Sequence, residues 1–416
     1  MLTVPEAVAE ITSGIQPRRA ERVALLDALG RVLASDAIAP YTLPQWDNSA
    51  MDGYAVRAGD IDGATAENPV VLPVAETIAA GGFATRSVRA GEAMRIMTGA
   101  PLPDGADTVI RVEDTDGGVD RVSIRNTRDA RKNIRPKGED FRDGSVVIRT
   151  GTPLAAAQLG VLASLGKAEV DVYRRPVVAI AGSGDELVDL DRFDEVMAGR
   201  KIVASNRYTL DALVRQAGGV PKHLGNAADT PESLRAVLEL SRGCDLLVTS
   251  AGASVGEYDY TRQVLESLGA ELRFWRVRMR PGAPLGFGTL DGMPWIGLPG
   301  NPVSAMVTFE LFARPVIRRM LGHTRLFRRP MTAVLEEPVT IGARLLHFLR
   351  AVTRVRDDGV LTARLTGPQG SGILTSMSQA NALLVVPEDR SRVEAGERLN
   401  VLPLSEEAQL SEVFAL

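Results

Sequence analysis

Between residues 176 and 321, short apolar runs alternate with amphipathic stretches, and this alternation restricts the fold more than any other feature of the chain. Pro176-Val-Val-Ala-Ile-Ala-Gly182 is apolar enough for a strand buried on both faces. Helices are expected near Asn206 to Ala217, stopped by Gly218-Gly219, and near Pro231 to Ser241. Strand Asp245 to Ser250 follows, then a helix from about Tyr260 to Leu268, two further strands and the strand Pro294 to Leu298. A long helix closes the block, opened by Asn301 as N-cap and Pro302 at the first helical position. Such alternation predicts a doubly wound α/β unit with a mostly parallel sheet.

The flanks have a different texture. Thr3 and Glu6 form a capping-box pattern ahead of Val8, Ile11 and Ile15, so an amphipathic first helix is expected, with a second over Arg22 to Ser35. From Tyr41 to Thr150, β-branched runs alternate with Gly, Pro and Asp clusters, which reads as a β-rich module. Leu154 to Leu165 is helical and closed by Gly166; beyond Arg329, alternating segments suggest a small β module or barrel. With 48 basic and 52 acidic residues the net charge is −4, so the chain has no global attraction for nucleic acid or anionic lipid, and any bound anion must be gripped locally. One cysteine, Cys244, excludes intrachain disulfides and CxxC metal sites. No run of 18 apolar residues occurs, and the amino terminus lacks a secretory pattern, so a cytoplasmic protein without membrane or nucleic-acid partners is expected.

In a doubly wound sheet, ligands bind beyond the carboxyl ends of the strands. Gly182-Ser-Gly-Asp-Glu-Leu187 begins as GxG but lacks the third glycine and a Walker lysine, so a dinucleotide site is not expected there. The loop after the next strand carries Ser250, Ser254 and Asp259, hydroxyls and a carboxylate that suit a phosphate and a divalent cation. Leu298-Pro-Gly-Asn-Pro-Val-Ser304 places Ser304 at a helix start, a second anion candidate. In the β-rich region, Asp52 lies in an Asp-Gly turn, and Arg135, Lys137, Glu139 and Asp140 mix cations and anions as a magnesium–phosphate pair would require. Arg276, Arg278 and Arg280 recur at alternate positions and would share one face of a strand.

Taken in order, Ser49-Ala-Met-Asp-Gly-Tyr-Ala55, Met97-Thr-Gly-Ala-Pro-Leu-Pro103, Ile134-Arg-Pro-Lys-Gly-Glu-Asp140, Gly184-Asp-Glu-Leu-Val188, Ser254-Val-Gly-Glu-Tyr-Asp259, Met279-Arg-Pro-Gly-Ala-Pro-Leu285 and Leu298-Pro-Gly-Asn-Pro-Val-Ser-Ala305 resemble the molybdopterin molybdenumtransferase family, MoeA and the gephyrin E domain. The resemblance runs nearly end to end. It implies an α/β multidomain protein: a doubly wound, MogA-like α/β domain (173–328), an elongated β-rich domain (46–145), a small mixed linker domain (1–45 with 146–172, its first helix packing on the α/β domain) and a C-terminal β-barrel-like domain (329–416). The implied activity is insertion of molybdate into adenylylated molybdopterin with release of AMP, dependent on Mg²⁺, in a homodimer whose cleft joins domains of both subunits. The implied partners are a MogA-like molybdopterin adenylyltransferase and apo-molybdoenzymes or their chaperones.

Position by position, the family's functional residues fall on Asp52, Thr98, Arg135, Asp140, Glu186, Asp229, Asp259, Ser304, Arg350 and Ser371. Asp52, Asp140, Glu186 and Asp259 are expected in catalysis, and Glu186, Asp229 and Asp259 at the metal. Thr98, Arg135, Ser250, Ser254, Arg280, Ser304, Arg350 and Ser371 are expected on the anionic substrates. The ene-dithiolate sulfurs belong to the substrate, which reconciles molybdenum chemistry with a single cysteine. The chain departs from the family at Arg280-Pro-Gly-Ala-Pro284, where Lys-Pro-Gly-Lys-Pro is usual, and the expectation is that Arg276 or Arg278 replaces the missing second cation. Ala251-Gly-Ala253 and Gly370-Ser-Gly372 also depart, from Gly-Gly-Val and Gly-Ser-His. The alternative function is a diverged paralogue that binds or delivers the cofactor without inserting metal.

Overall fold

The computed structural model describes residues 1–250 and 258–405, with side chains from 261 onward in the second stretch. The chain divides into two compact units, Met1–Ala34 with Gly151–Ala155 and Glu169–Leu416, and Ser35–Thr150 with Ala156–Ala168.

The first unit is built on a six-stranded sheet ordered Val220–Ala227, Val177–Ser183, Leu246–Ser250, Met293–Leu298, Pro284–Leu290, Glu271–Arg276. The first four strands are parallel, and the last two are added antiparallel. Leu246–Ser250 is buried throughout, as a central strand covered on both faces must be. The chain runs from Val177–Ser183 outward to Val220–Ala227, then returns across it to Leu246–Ser250. The order therefore reverses between Val177–Ser183 and Leu246–Ser250, and the carboxyl ends of those two strands open a crevice. Helix Ser205–Gln216 covers one face with Leu210 and Val214, and Pro231–Glu239 covers the other with Leu234 and Leu238. The helical run from Pro302 to Met320 contains a π turn at Phe309–Ala313. Within that turn, buried Glu310 meets Arg328 at 2.6 Å and Arg314 at 3.5 Å, so its charge is compensated.

The capping box is present: Glu6 N–H donates to Thr3 Oγ1 at 3.4 Å and Thr3 N–H to Glu6 Oε2 at 2.8 Å. Helix Val4–Ser13 buries Val4, Ala7 and Ile11, one face at helical spacing, in the same core as Val178, Leu210 and Ile317. The helix expected over Arg22 to Ser35 is not formed. Ala20–Ala24 is a strand paired antiparallel with Glu169–Tyr173, followed by a 3-10 turn at Leu25–Ala28. Its alternating exposure is a strand period, and cross-strand pairs such as Arg22 with Asp171 (3.1 Å) outweigh a weak local helix preference.

The carboxy-terminal part closes on itself. Strands Leu346–Val355, Leu361–Leu365, Met331–Leu335, Arg398–Pro403 and Ala382–Val386 form a five-stranded ring, since the first also pairs with the last. Inward residues Leu349, Ala351, Ala363, Leu384 and Val401 fill it. A short strand, Met279–Arg280, runs parallel to Leu346–His347 at the ring's edge and ties the α/β sheet to the barrel.

The second unit holds a five-stranded sheet ordered Thr108–Arg111, Gly53–Val56, Ala93–Ile96, Val70–Ile78, Arg121–Ile124. Gly53 sits where a Cβ would lie 1.9 Å from the Ile110 carbonyl oxygen, so only glycine lets these strands approach. Helix Ala156–Ser164 belongs to this unit, and Tyr41 donates its hydroxyl to the Ser164 carbonyl at 2.6 Å.

Candidate functional site

Two of the cavities in the first unit lie where strand ends meet the barrel or the helix starts. The larger, about 750 Å³, is lined by Arg280, Ser304, His347, Arg350, Gln369 and Ser371 among its polar residues. Among the described residues its lining contains no Asp or Glu. Arg350 is fully buried. Its Nε donates to Ser376 Oγ at 3.0 Å and one terminal nitrogen donates to the Gly370 carbonyl at 2.9 Å, while the other terminal nitrogen is buried with no partner. Gln369 holds the strand beneath it, accepting from Arg350 N–H at 2.8 Å and donating to the Arg350 carbonyl at 3.2 Å. Burial pulls the guanidinium below its usual range, with no neighbouring carboxylate acting on it. A guanidinium still carries its charge there, because it is not deprotonated in proteins. A buried cation lacking a counter-ion, with one donor left over, asks for an anion.

The second cavity, about 630 Å³, sits at the crevice where the strand order reverses. Gly182, Ser183 and Glu186 line it from one strand end, Ser250 from the next, and Gly300 to Pro302 from the third. Asn206, in the first turn of its helix, donates to Ser250 Oγ at 2.6 Å and to the Gly300 carbonyl at 2.7 Å, so one amide clamps two of the three loops. Its own Oδ1 is buried without a partner. Gly182 leaves room for the Asn226 amide: a Cβ there would lie 2.2 Å from Asn226 Oδ1, so a larger residue would have to displace that side chain. The two cavities adjoin through Asn301, which lines both, and through the consecutive residues Ser371 and Gly372, which line one each.

Exposed carboxylates stand at the rim of the second cavity. Asp185 N–H donates to Asp229 Oδ2 at 3.3 Å, and Asp229 N–H to Asp185 Oδ1 at 3.2 Å, which joins the loops after two adjacent strands. Gly184, at φ 139°, leaves room that the Glu186 carboxylate occupies, for a Cβ would lie 2.6 Å from Glu186 Oε2. Among the described residues no set of three His, Cys, Asp or Glu converges as a complete metal site. Ser254 lies outside the described residues, as does the side chain of Asp259.

The remaining expected residues, Asp52, Thr98, Arg135 and Asp140, belong to the second unit. Asp52 Oδ1 accepts from Thr98 N–H at 2.7 Å and from Thr98 Oγ1 at 2.9 Å, and these bonds hold its carboxyl below the usual range. Asn48–Ser49 pairs antiparallel with Ile134–Arg135, and Ser49 also exchanges backbone bonds with Gly99 and Ala100, which brings Asp52, Thr98 and Arg135 into one cluster. Asp140 N–H donates to the Leu43 carbonyl at 3.1 Å.

The arginine row requires a correction. Arg276 ends one strand, and Arg278 is tied to Glu388 at 2.6 Å; of the three, only Arg280 lines the larger cavity. The cation missing at Ala283 is therefore not replaced by either of the other two. Asn206, Gln369 and His347 were missed in the sequence. Asn206, a polar residue in the first turn after a strand, was the one with a readable signal.

Comparisons with known proteins agree along the whole chain. The MoeA N-terminal region (domain I and II) matches residues 2–166, a probable molybdopterin binding domain matches 179–319, and the MoeA C-terminal region (domain IV) matches 332–404. Molybdopterin molybdenumtransferase 2 of Mycobacterium tuberculosis is 40% identical over 411 residues, covering 97% of this chain and 100% of that protein. The chain belongs to the molybdopterin molybdenumtransferase family. A second member, from Bacillus subtilis, is 36% identical over 98% of this chain and 95% of its own length. The crystal structure of the molybdopterin biosynthesis MoeA protein of Pyrococcus horikoshii OT3 superposes with a TM-score of 0.83 at 29% identity, over 97% of this chain and 100% of that one. The fold is the family's multidomain α/β architecture, with the reversing sheet and the closed barrel in their expected segments.

Proposed function

We propose that this chain is a molybdopterin molybdenumtransferase that inserts molybdate into adenylylated molybdopterin and releases AMP. The observation that carries this reading is the larger cavity: two arginines, hydroxyls and amides line it, no carboxylate does among the described residues, and Arg350 keeps a buried, unpartnered donor. A tetrahedral dianion satisfies such a donor set. Arg280 and Arg350 supply charge, while Ser304 and Ser371 supply neutral hydroxyl donors. The adjoining cavity, with Ser183, Asn206, Asn226 and Ser250 at the strand ends, takes the nucleotide-bearing substrate. Asn301, shared by both cavities, places the metal-accepting end of that substrate next to the oxyanion.

Magnesium fits the rim carboxylates in chemistry, since Glu186 and Asp229 are hard oxygen donors and Gly184 leaves the space that the Glu186 carboxylate fills. Glu186, Asp229 and Asp259 would hold the ion, which would offset the charge of the pyrophosphate. Asp52, held ionised by Thr98, together with Arg135 and Asp140 belongs to the proposed functional set. The four-domain division, the homodimer and exchange with an adenylyltransferase and apo-molybdoenzymes belong to the same proposal.

Purified protein given adenylylated molybdopterin, Mg²⁺ and molybdate should yield cofactor that activates an apo-molybdoenzyme. Substrate binding without product would refute insertion and leave the carrier alternative.

A further inference from the structure

We infer that His347 is a third cation of the oxyanion cavity beside Arg280 and Arg350, neutral while the cavity is empty and protonated when a tetrahedral dianion enters, so that binding takes up a proton. This rests on reading the cavity as the molybdate site. Ala283 lines the cavity without charge, and neither Arg276 nor Arg278 lines it, so the fixed cations of its described lining are Arg280 and Arg350. His347 lines the same cavity, is 4% exposed, and is the strand-register partner of Arg280, which places the two side chains on one face.

The surroundings of the imidazole suit this role. Its Nε2 meets the Ala343 carbonyl at 2.9 Å; a carbonyl can only accept, so Nε2 carries the hydrogen and Nδ1 is the atom that titrates. From the short strand beside it comes Arg280, and from the loop Pro338–Leu345 only the exposed Arg344. On the other side, Ala382–Val386 contributes no charged residue, and Val386 is its register partner. Glu388, just beyond, is engaged by Arg278 at 2.6 Å. Arg350 lines the cavity from the opposite face of the strand. Among the described residues the charge that acts on the ring is that of Arg280, and burial first, then Arg280, holds its pKa below the ordinary value. A dianion reverses the sign of that environment and raises the pKa of the bound form.

Linkage sets the direction. A group whose pKa rises on binding takes up a proton, so affinity is greatest below the free pKa and falls as pH rises toward the bound-state value, by about tenfold per pH unit for one proton. Isothermal titration of the whole protein with sodium molybdate, between about pH 6.5 and pH 8.5, should show this loss. Titration in two buffers of different ionisation enthalpy should show uptake approaching one proton per molybdate. His347→Gln keeps a donor for the Ala343 carbonyl and should abolish both the slope and the uptake. His347→Arg should bind with affinity independent of pH. Binding without slope or uptake in the wild type, or a slope that persists in His347→Gln, would overturn the assignment while the molybdate reading stands. Failure of the wild type to bind molybdate at any pH would overturn both.

Discussion

Replacing Arg350 by methionine separates binding from folding with unusual clarity. In the folded protein the guanidinium is fully buried and makes two short side-chain bonds, to Ser376 at 3.0 Å and to the Gly370 carbonyl at 2.9 Å, with a longer one to the Pro368 carbonyl at 3.5 Å. Such charge-assisted bonds contribute roughly 1.5–3 kcal/mol each. Against them stands desolvation of an uncompensated cation, several kcal/mol in proteins. The two effects are of similar size and opposite sign, so Arg350→Met should change the stability of the empty protein by no more than about 1–2 kcal/mol. Oxyanion binding has no such compensation. Removing one partner of a buried, hydrogen-bonded charge pair costs about 2–5 kcal/mol, or roughly 30-fold to a few thousand-fold in affinity. Urea denaturation with and without molybdate measures both quantities. At one hundred times its dissociation constant, molybdate should stabilise the wild type by about 2.7 kcal/mol and leave the variant nearly unmoved. Loss of more than about 4 kcal/mol of stability in the empty variant, with molybdate stabilisation intact, would refute the reasoning and make Arg350 a structural residue.

Other outcomes follow from single contacts. Ser304→Ala should weaken molybdate by the loss of one neutral hydrogen bond, about 0.5–1.5 kcal/mol, with unchanged melting temperature; no change in affinity by calorimetry would remove Ser304 from the site. Gly182→Ala drives a methyl into Asn226 Oδ1, so kcat/KM for the adenylylated substrate should fall at least tenfold while molybdate affinity holds; full activity would place the nucleotide elsewhere. His323 is pushed down to about 4 by burial, then by Arg318 and Arg314. Its folded-state pKa lies below its unfolded one, so the unfolded chain binds the extra proton and stability falls as pH drops from about 6.5 toward about 4, by up to ~1.4 kcal/mol per unit. His323→Gln should flatten that acid limb in urea titrations, and an unaltered limb would contradict the burial of His323.

The sheet and barrel were legible because their residues obey local periods: continuous apolar runs in central strands, alternation in the barrel, and Asn301-Pro302 at a helix start. The stretch over Arg22 to Ser35 was misread because its structure is set by a partner about 150 residues away in sequence, Glu169–Tyr173, which no local pattern reveals. The candidate site was legible where loops follow strands, at Glu186, Ser250 and Ser304. It was not legible at His347 or Gln369, whose significance comes only from the register of Leu346–His347 against Met279–Arg280 and from the loop that returns to Arg350. The alternate arginines misled because Val277 and Met279 do face inward, but a strand break after Arg276 sends Arg278 to Glu388.

A chain with net charge −4 has to hold a dianion and a pyrophosphate, and the sorting of charge between the two cavities explains how. Uniform positive charge would attract every cellular anion through long-range fields. Here the described lining of the larger cavity holds no carboxylate, so Arg280 and Arg350 act undiluted over a few ångströms, while Asp185, Glu186 and Asp229 stand at the rim of its neighbour. Exchanging one charge across that divide should be more damaging than deleting it. Ser304→Asp would put a carboxylate into the cavity that Arg280 and Arg350 line and supply internally the negative charge that the oxyanion brings. The expected result is a more stable protein with no measurable molybdate binding, read by denaturation and calorimetry together. A Ser304→Asp protein that still bound molybdate would show that local charge sorting is not what selects the anion.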